Sequence, residues 1–163
     1  GKFFSVIGVE VSGAAGREVT NWSQPLLKQE ECGILGVICQ KKDGIMRYLL
    51  CAKFEPGRAD FQLAPTLQAT ESNLLRSHGG KKPLFAEYFE DGGKGKVLVN
   101  VTQVEDPSRF YRKTNRCMMI EIPEEESVAV PDDFMWLTLP QVKKLLKIDN
   151  VVNALTRCVF GSR

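Results

Sequence analysis

Two apolar runs on either side of an Asp-Gly turn constrain the fold of this chain more than any other feature. The runs cover Gly33 to Gln40 and Ile45 to Phe54, with Lys42-Asp43-Gly44 between them. Asp-Gly favours the tight turns that join neighbouring antiparallel strands, because both positions of such a turn need a positive φ. The sequence therefore predicts a β-hairpin here, around which a sheet must be built.

Further strands and short helices are predicted around this hairpin. Thr70 is expected to cap one helix through its hydroxyl, and Thr138 with Gln141 fits a capping box. Asp149 or Asn150 is expected to cap the last helix. The strands cover Phe3 to Val11, Phe61 to Ala69, Lys96 to Val104 and Cys117 to Ile122; the helices cover Glu71 to Ser77, Pro83 to Phe89, Leu139 to about Lys147, and a final stretch to about Arg157. Hairpin strands with interspersed helices indicate an α+β fold with a mixed sheet.

Size and charge limit the classes of function. The chain has 163 residues, which suits one domain. Its net charge of +2 gives no general attraction to nucleic acid or membrane, so any recognition of anions must be local. Five cysteines without a C-x-x-C pair favour the reducing cytoplasm over a disulfide framework. No signal peptide or membrane-length apolar run is visible, and the chain begins without Met, as an excised piece would.

The stretch from Ala52 to Gly80 is unusually rich in uncharged polar side chains. A plain surface would carry more charge, and a plain core strand more aliphatic residues. The simplest interpretation is a strand leading into a helix, with polar groups directed at a polar ligand. The polar residues are Gln62, Thr66, Gln68, Thr70, Ser72, Asn73 and His78.

Eight sequence pieces, in order along the chain, resemble one known family. They are W-x-Q-P-L-L from Trp22, G-I-L-G from Gly33, A-K-x-E-P-G from Ala52, Q-L-A-P-T-x-Q-A-T-x-S-N from Gln62, H-G-G from His78, S-R-F-x-R-K-x-N-R from Ser108, W-L-T-L from Trp136 and D-N-x-V-N from Asp149. Together they resemble the NDP-hexose 2,3-dehydratases of deoxysugar biosynthesis. One departure is Glu105-Asp106-Pro107, where a turn containing glutamine and glycine is expected.

The resemblance implies a fold, a reaction and a set of partners. Residues 1–163 would form a single Nudix-like module, with a mixed sheet flanked by short helices. The family removes the C2 hydroxyl of a nucleotide-linked 4-keto-6-deoxyhexose, usually the dTDP form, without a cofactor. Its chains typically carry two related modules, so a homodimer or a pairing with a sister module is expected. The alternative is a module that only binds the nucleotide sugar or forms a dimer.

Chemistry of this kind requires a base, an enolate donor and an acid. His78, the one histidine, is a candidate base or acid, or else a residue that hydrogen-bonds the end of a helix. Glu55 is a candidate base or ribose ligand, and equally a turn carboxylate. Lys53 is a candidate donor to the 4-keto oxygen, or a surface lysine.

Other residues are candidates for binding the substrate. Arg109, Lys113 and Arg116 are predicted to clamp a diphosphate, the alternative being a solvated basic face. Trp22 is predicted to stack on a nucleobase, although a tryptophan more often anchors a core. Side chains predicted to bind sugar hydroxyls are Gln62, Thr66, Gln68 and Asn73.

No metal site is predicted. A working Nudix hydrolase holds divalent cations with an R-E-x-x-E-E cluster, because these ions prefer carboxylate oxygen. The corresponding helix here has a single carboxylate, Glu71. The sequence therefore predicts a Nudix-like scaffold without diphosphohydrolase chemistry.

Overall fold

The computed structural model describes residues 3–13, 15–76 and 79–163. Within them, strands predominate and the helices are short. The strands are β1 (Ser5–Val11), β2 (Trp22–Lys28), β3 (Gly33–Lys42), β4 (Ile45–Lys53), β5 (Gln62–Pro65), β6 (Leu67–Thr70), β7 (Lys96–Val104), β8 (Thr114–Ile122) and β9 (Phe134–Thr138). The helices are α1 (Glu71–Leu74), α2 (Leu139–Leu145) and α3 (Ala154–Gly161), with a 3₁₀ turn at Ala86–Tyr88.

The predicted hairpin is confirmed as β3–β4. Asp43 and Gly44 have φ values of 51° and 76°, the left-handed pair that a two-residue turn needs. From this turn the two strands run together only as far as Ile38 and Leu49. Beyond that point they separate, and two other strands fill the space between them.

Strands β5 and β6 fill the space between β3 and β4 and together form a wedge. β5 pairs with the second half of β4, and β6 pairs with the first half of β3. Thr66 lies between β5 and β6, and its hydroxyl donates to Leu49 O while accepting from Ile38 N at 2.9 Å. The prediction of one continuous strand over Phe61 to Ala69 is therefore wrong, because the chain crosses from one branch of the hairpin to the other at Thr66.

The large sheet is mixed and is covered on both faces. Its order is β5-β4-β3-β8-β7, with β3 parallel to β8, while β6 pairs with β3 and β9 with β4. One face packs against α2 and α3 through a core that includes Val142 and Val159. The other face packs against the segment around the 3₁₀ turn, where Phe89 is fully buried. The predicted α+β fold with a mixed sheet is confirmed.

A second, two-stranded sheet is formed by β1 and β2. Pro25 lies within β2, opposite Gly8, where its fixed φ is compatible with an extended strand. Tyr111 N donates to Leu27 O at 2.8 Å, and Leu27 N donates to Arg109 O at 2.8 Å. The segment before β8 therefore joins this hairpin to the large sheet.

The residues that cap the helix N-termini agree in part with those predicted from the sequence. At α2, Gln141 Oε1 accepts from Thr138 N at 2.8 Å, and the predicted capping box is confirmed. Thr70 is the N-cap residue of α1, but its side chain makes no capping hydrogen bond. The last helix is capped by Asn153, which accepts from Thr156 N at 2.8 Å, and not by Asp149 or Asn150. No helix in the described part of the chain is long and apolar enough to cross a membrane.

Candidate functional site

A cavity of about 240 Å³ lies at the end of the large sheet where β3 and β8 begin. Four of the residues predicted from the sequence line it, namely Lys53, Gln68, Asn73 and Lys113. They come from β4, β6, α1 and the turn before β8, so the wedge of β5 and β6 brings distant segments together. The remaining lining residues are Gly33, Leu35, Ala69, Thr70, Glu105, Asn115 and Leu155.

Lys53, Glu55 and Gln68 form a connected group at one side of this cavity. Lys53 Nζ lies 3.1 Å from Glu55 Oε1, and the same oxygen accepts from Gln68 Nε2 at 3.1 Å. The amide oxygen of Gln68 is buried and accepts no hydrogen bond from the described residues. A buried acceptor without a donor is unfavourable, so a ligand donor at this position would stabilise the site.

Lys113 supplies a buried positive charge. Its exposed fraction is 7%, and its Nζ donates to Glu31 O at 3.0 Å. An ammonium group has three donors, and this contact uses one of them. A lysine buried to this degree is costly unless it is paired, which makes Lys113 a natural ligand for an anionic or strongly polar substrate group.

Glu31 is a residue of this region that the sequence motifs did not identify. Its carboxylate accepts from Ser72 Oγ at 2.8 Å and from Ser72 N at 3.4 Å, at the start of α1. Burial raises the pKa of Glu31, but hydrogen bonds from Ser72 and Thr70 and the nearby Lys113 ammonium outweigh it, so its pKa lies below the ordinary value. Glu31 therefore holds both α1 and Lys113 in place.

Glu105 and Asn115 were also missed. Both line the cavity, and Asn115 Nδ2 donates to Glu105 Oε2. Asn115 is within the R-K-x-N-R piece, but no local pattern in the sequence links it to Glu105. The pairing depends on the antiparallel register of β7 and β8, which places Glu105 N 3.0 Å from Lys113 O.

Two predicted sugar ligands make hydrogen bonds that join elements of the fold. Thr66 is 5% exposed, and its hydroxyl is bonded to backbone groups of β3 and β4. Gln62 Nε2 donates to Asn150 O at 2.7 Å, which ties β5 to the loop before α3. Neither residue lines the cavity of about 240 Å³: Gln62 is in β5, beside β4, and Thr66 is at the crossing between β5 and β6.

The three basic residues of the predicted diphosphate clamp do not line one cavity. Lys113 faces the cavity of about 240 Å³, but Arg116 lines a separate cavity of about 390 Å³ with Leu74 and Phe89. Arg116 Nη2 donates to Phe89 O at 3.2 Å. Lys113 and Arg116 are separated by an odd number of positions, so at the start of β8 their side chains lie on opposite faces of the sheet.

Trp22 and Arg109 lie near one another, beside the small sheet. Trp22 Nε1 donates to Gln24 Oε1 at 2.8 Å, and Gln24 Nε2 in turn donates to Ser108 O at 2.9 Å. Arg109 Nη1 donates to the same carbonyl at 3.2 Å. The predicted candidate His78 lies outside the described residues. Within those residues, no three or more His, Cys, Asp or Glu side chains are grouped so that they could hold a metal ion.

Comparison with known proteins identifies the family. A sequence model of the NDP-hexose 2,3-dehydratases matches residues 1–162. The chain belongs to the NDP-hexose 2,3-dehydratase family. A curated dTDP-4-dehydro-6-deoxy-alpha-D-glucopyranose 2,3-dehydratase of Saccharopolyspora spinosa is 48% identical over 162 residues, which are 99% of this chain and 33% of that protein. A protein of the same name from Amycolatopsis orientalis is 40% identical over 166 residues, or 99% of this chain and 35% of that protein.

The chain thus spans about a third of the length of the NDP-hexose 2,3-dehydratases that it matches. Among solved structures, an ADP compounds hydrolase matches with a TM-score of 0.60 and 14% identity, covering 99% of this chain and 84% of that one. Identity at this level shows the fold alone. The fold of this member of the family is Nudix-like, as the sequence resemblance implied.

Proposed function

We propose that this chain binds a nucleotide-linked 4-keto-6-deoxyhexose in the cavity at the start of β3 and β8, and removes its C2 hydroxyl as water. The observation that carries the proposal is the Lys53–Glu55–Gln68 group: Lys53 and Gln68 line the cavity with a cation and an unsatisfied amide oxygen, and the carboxylate of Glu55 is bonded to both. The substrate class is supported by the names of the two curated relatives.

The first step is removal of the C3 proton. A ketone at C4 makes this proton acidic, and Glu55 is proposed to accept it. The electron pair of the C3–H bond moves towards the C4 oxygen, where Lys53 donates a hydrogen bond. Since an ammonium group has three donors, Lys53 can hold Glu55 and still bind this oxygen. A positioned base contributes roughly 10²- to 10⁴-fold, and an oxyanion donor on the order of 3 kcal/mol.

Loss of water follows from the enolate. As the C4 carbonyl re-forms, the electrons make a C2–C3 double bond, and the C2 hydroxyl leaves with one proton as water. The resulting C3 enol converts to a 3,4-diketone. No outside oxidant or reductant is required, because the substrate ketone serves as the electron sink.

The nucleotide end of the substrate has fewer candidate ligands. Lys113 and Asn73 line the cavity and are proposed to bind polar groups of the sugar or its diphosphate. Arg109 and Trp22 lie together at the small sheet and keep their proposed roles towards the diphosphate and the base. A homodimer or a sister module as partner, and a cytoplasmic location, are further proposals; free thiols at all five cysteines fit a reducing compartment.

The test is turnover by the chain itself. Incubation with dTDP-4-keto-6-deoxyglucose and a 1,2-diamine, which captures vicinal diketones, is expected to give the diketone adduct. Lys53→Met is expected to lower turnover roughly 10²-fold, the effect of one oxyanion donor, while calorimetry shows dTDP binding unchanged. The matched control is Lys28→Met, because Lys28 forms the same kind of ion pair with Glu30, at 3.0 Å.

Two results would count against the proposal. Full turnover by Lys53→Met would remove Lys53 from the reaction. Binding of the nucleotide sugar without any diketone would favour the binding-only module.

A further inference from the structure

The reaction needs an acid for the leaving hydroxyl, and among the described residues that line the cavity Glu105 supplies a carboxylate. Glu105 follows β7 and is half-buried at the side of the cavity opposite β6. Its Oε2 accepts from Asn115 Nδ2, while its Oε1 accepts no hydrogen bond from the described residues. One oxygen is thus held in place and the other is available to a ligand.

The position of Glu105 is fixed by packing as well as by this hydrogen bond. Asn115 is 5% exposed and pairs with Gly33 across the parallel strands β3 and β8. A Cβ atom at Gly33 would lie 2.3 Å from Asn115 Oδ1, so only glycine leaves room for the amide. The backbone N–H of Glu105 donates to Lys113 O at 3.0 Å, which holds the residue against β8. Hydrogen bonds and packing therefore hold Glu105 in a fixed position at the cavity.

The sheet also sets the distance between the two sides of the cavity. Gln68 is on β6, and β3 and β8 separate β6 from the strand that leads to Glu105. Neighbouring strands lie about 4.8 Å apart, so three spacings put the two backbones roughly 14 Å apart. Along the strands, Gln68 is level with Cys117 and Glu105 with Lys113, so the two residues are also offset by four positions.

We propose that Glu105 is the general acid that protonates the departing C2 hydroxyl, opposite the Lys53–Glu55 pair that forms the enolate. This inference rests on the proposed function. It assigns opposite tasks to Glu105, which lines the cavity, and to Glu55, which binds Lys53 and Gln68 in the lining, and many enzymes use two carboxylates in this way to run acid and base chemistry together.

The proton balance closes within the site. Glu55 takes the C3 proton, and protonated Glu105 gives its proton to the C2 oxygen as the C2–O bond breaks and water leaves. When the C3 enol becomes a ketone, Glu55 returns its proton to C2, and Glu105 accepts the proton of the enol hydroxyl. Both carboxyl groups are then as they began, and the net change is the loss of one water.

The test separates the two proton transfers by hydrogen exchange in D₂O. Glu105→Gln keeps an acceptor for Asn115 but cannot donate an acidic proton. This variant is expected to exchange deuterium into C3 of dTDP-4-keto-6-deoxyglucose at a rate within about threefold of wild type. Its rate of diketone formation is expected to fall at least roughly 100-fold. Glu105→Asp is expected to recover part of that loss. The control is Asp106→Asn, because that neighbouring carboxylate binds Ser108 and does not line the cavity.

Other results would overturn the assignment. Unchanged diketone formation by Glu105→Gln would show that Glu105 donates no proton. Loss of exchange and dehydration together, with dTDP binding retained, would place Glu105 at the enolisation step. A wild-type chain that neither exchanges C3 nor forms the diketone would instead refute the proposed function itself.

Discussion

At the scale of single residues, Glu31 connects the start of a helix with the cavity. Its carboxylate binds Ser72 at the start of α1, and its backbone carbonyl binds the ammonium group of Lys113. Asn73, in the same helix, lines the cavity. Glu31, which does not itself line the cavity, thus helps to position two residues that do.

The pH dependence of stability tests this role. The pKa of folded Glu31 lies below its ordinary value of 4.5, so its ionised form stabilises the fold above pH 4.5, and this contribution is lost as the pH falls through the folded pKa. Glu31→Ala is expected to lower the free energy of unfolding at pH 7 by about 1 kcal/mol, as for a lost helix cap. Urea unfolding at several pH values should show this difference narrow below pH 4.5. Glu10→Gln, an exposed position in β1, is the control, and a difference that widens in acid would contradict the role.

Local sequence rules predicted the position of this cap but not the residue that supplies the acceptor. Thr70 is at the N-cap, as spacing predicted, yet its hydroxyl lies 3.0 Å from Ser72 Oγ and makes no capping bond. The acceptor comes from Glu31, 41 positions before Ser72. Glu105 was missed for the same kind of reason, because its contact with Asn115 depends on the register of β7 and β8. Lys53, Glu55 and Gln68 could be found, since all three fall in sequence pieces that resemble the family.

At the scale of elements, β3 and β4 separate beyond Ile38 and Leu49, and this separation makes room for the cavity. The turn at Asp43 and Gly44 could be read from sequence because two adjacent residues determine it. The separation of β3 from β4 could not be read from the sequence. A run such as Phe61 to Ala69 has the same composition whether it pairs with one strand or crosses between two. Thr66 marks the crossing only through bonds to Ile38 and Leu49, which are distant in sequence.

Removal of the Thr66 hydroxyl tests this account. Thr66→Val keeps the shape but leaves Ile38 N–H buried without its acceptor, at a cost of about 1–3 kcal/mol. Thermal or urea unfolding measures the loss, and calorimetry on the folded variant should show dTDP-sugar affinity within about threefold of wild type. Thr102→Val, at an exposed position of β7, is the control. A variant of normal stability with weakened sugar binding would restore Thr66 to the predicted role of sugar ligand.

At the scale of the whole molecule, a separate core covers each face of the sheet, and the two buried cysteines report on the integrity of the one that packs against α2 and α3. Cys39 and Cys117 are fully buried, whereas Cys32 and Cys158 are exposed. Burial, with a smaller contribution from Glu121, raises the pKa of Cys39 to about 12. Burial and the nearby Asp133 raise the pKa of Cys51 to about 11. The thiolate, which is the reactive form, is therefore scarce at both positions.

Thiol labelling at pH 8 measures the difference in reactivity between the buried and the exposed cysteines. A chromogenic disulfide reagent is expected to react quickly with two thiols of the folded chain, and with all five in denaturant. Cys158→Ser should reduce the fast phase to one thiol. Fast reaction of Cys39 in the folded chain would mean that the core between the sheet and α3 is open.

The parallel pairing of β3 with β8 has a consequence for how the cavity comes into being. Gly33 meets Asn115 only after the intervening segment of about 80 residues has been gathered into a loop, and such distant contacts make folding slow. The cavity needs this pairing, and it also needs Leu155 from the far end of the chain. Truncated forms that lack either strand or Leu155 are therefore expected to lack this cavity, and binding of the proposed substrate is expected to appear late in folding.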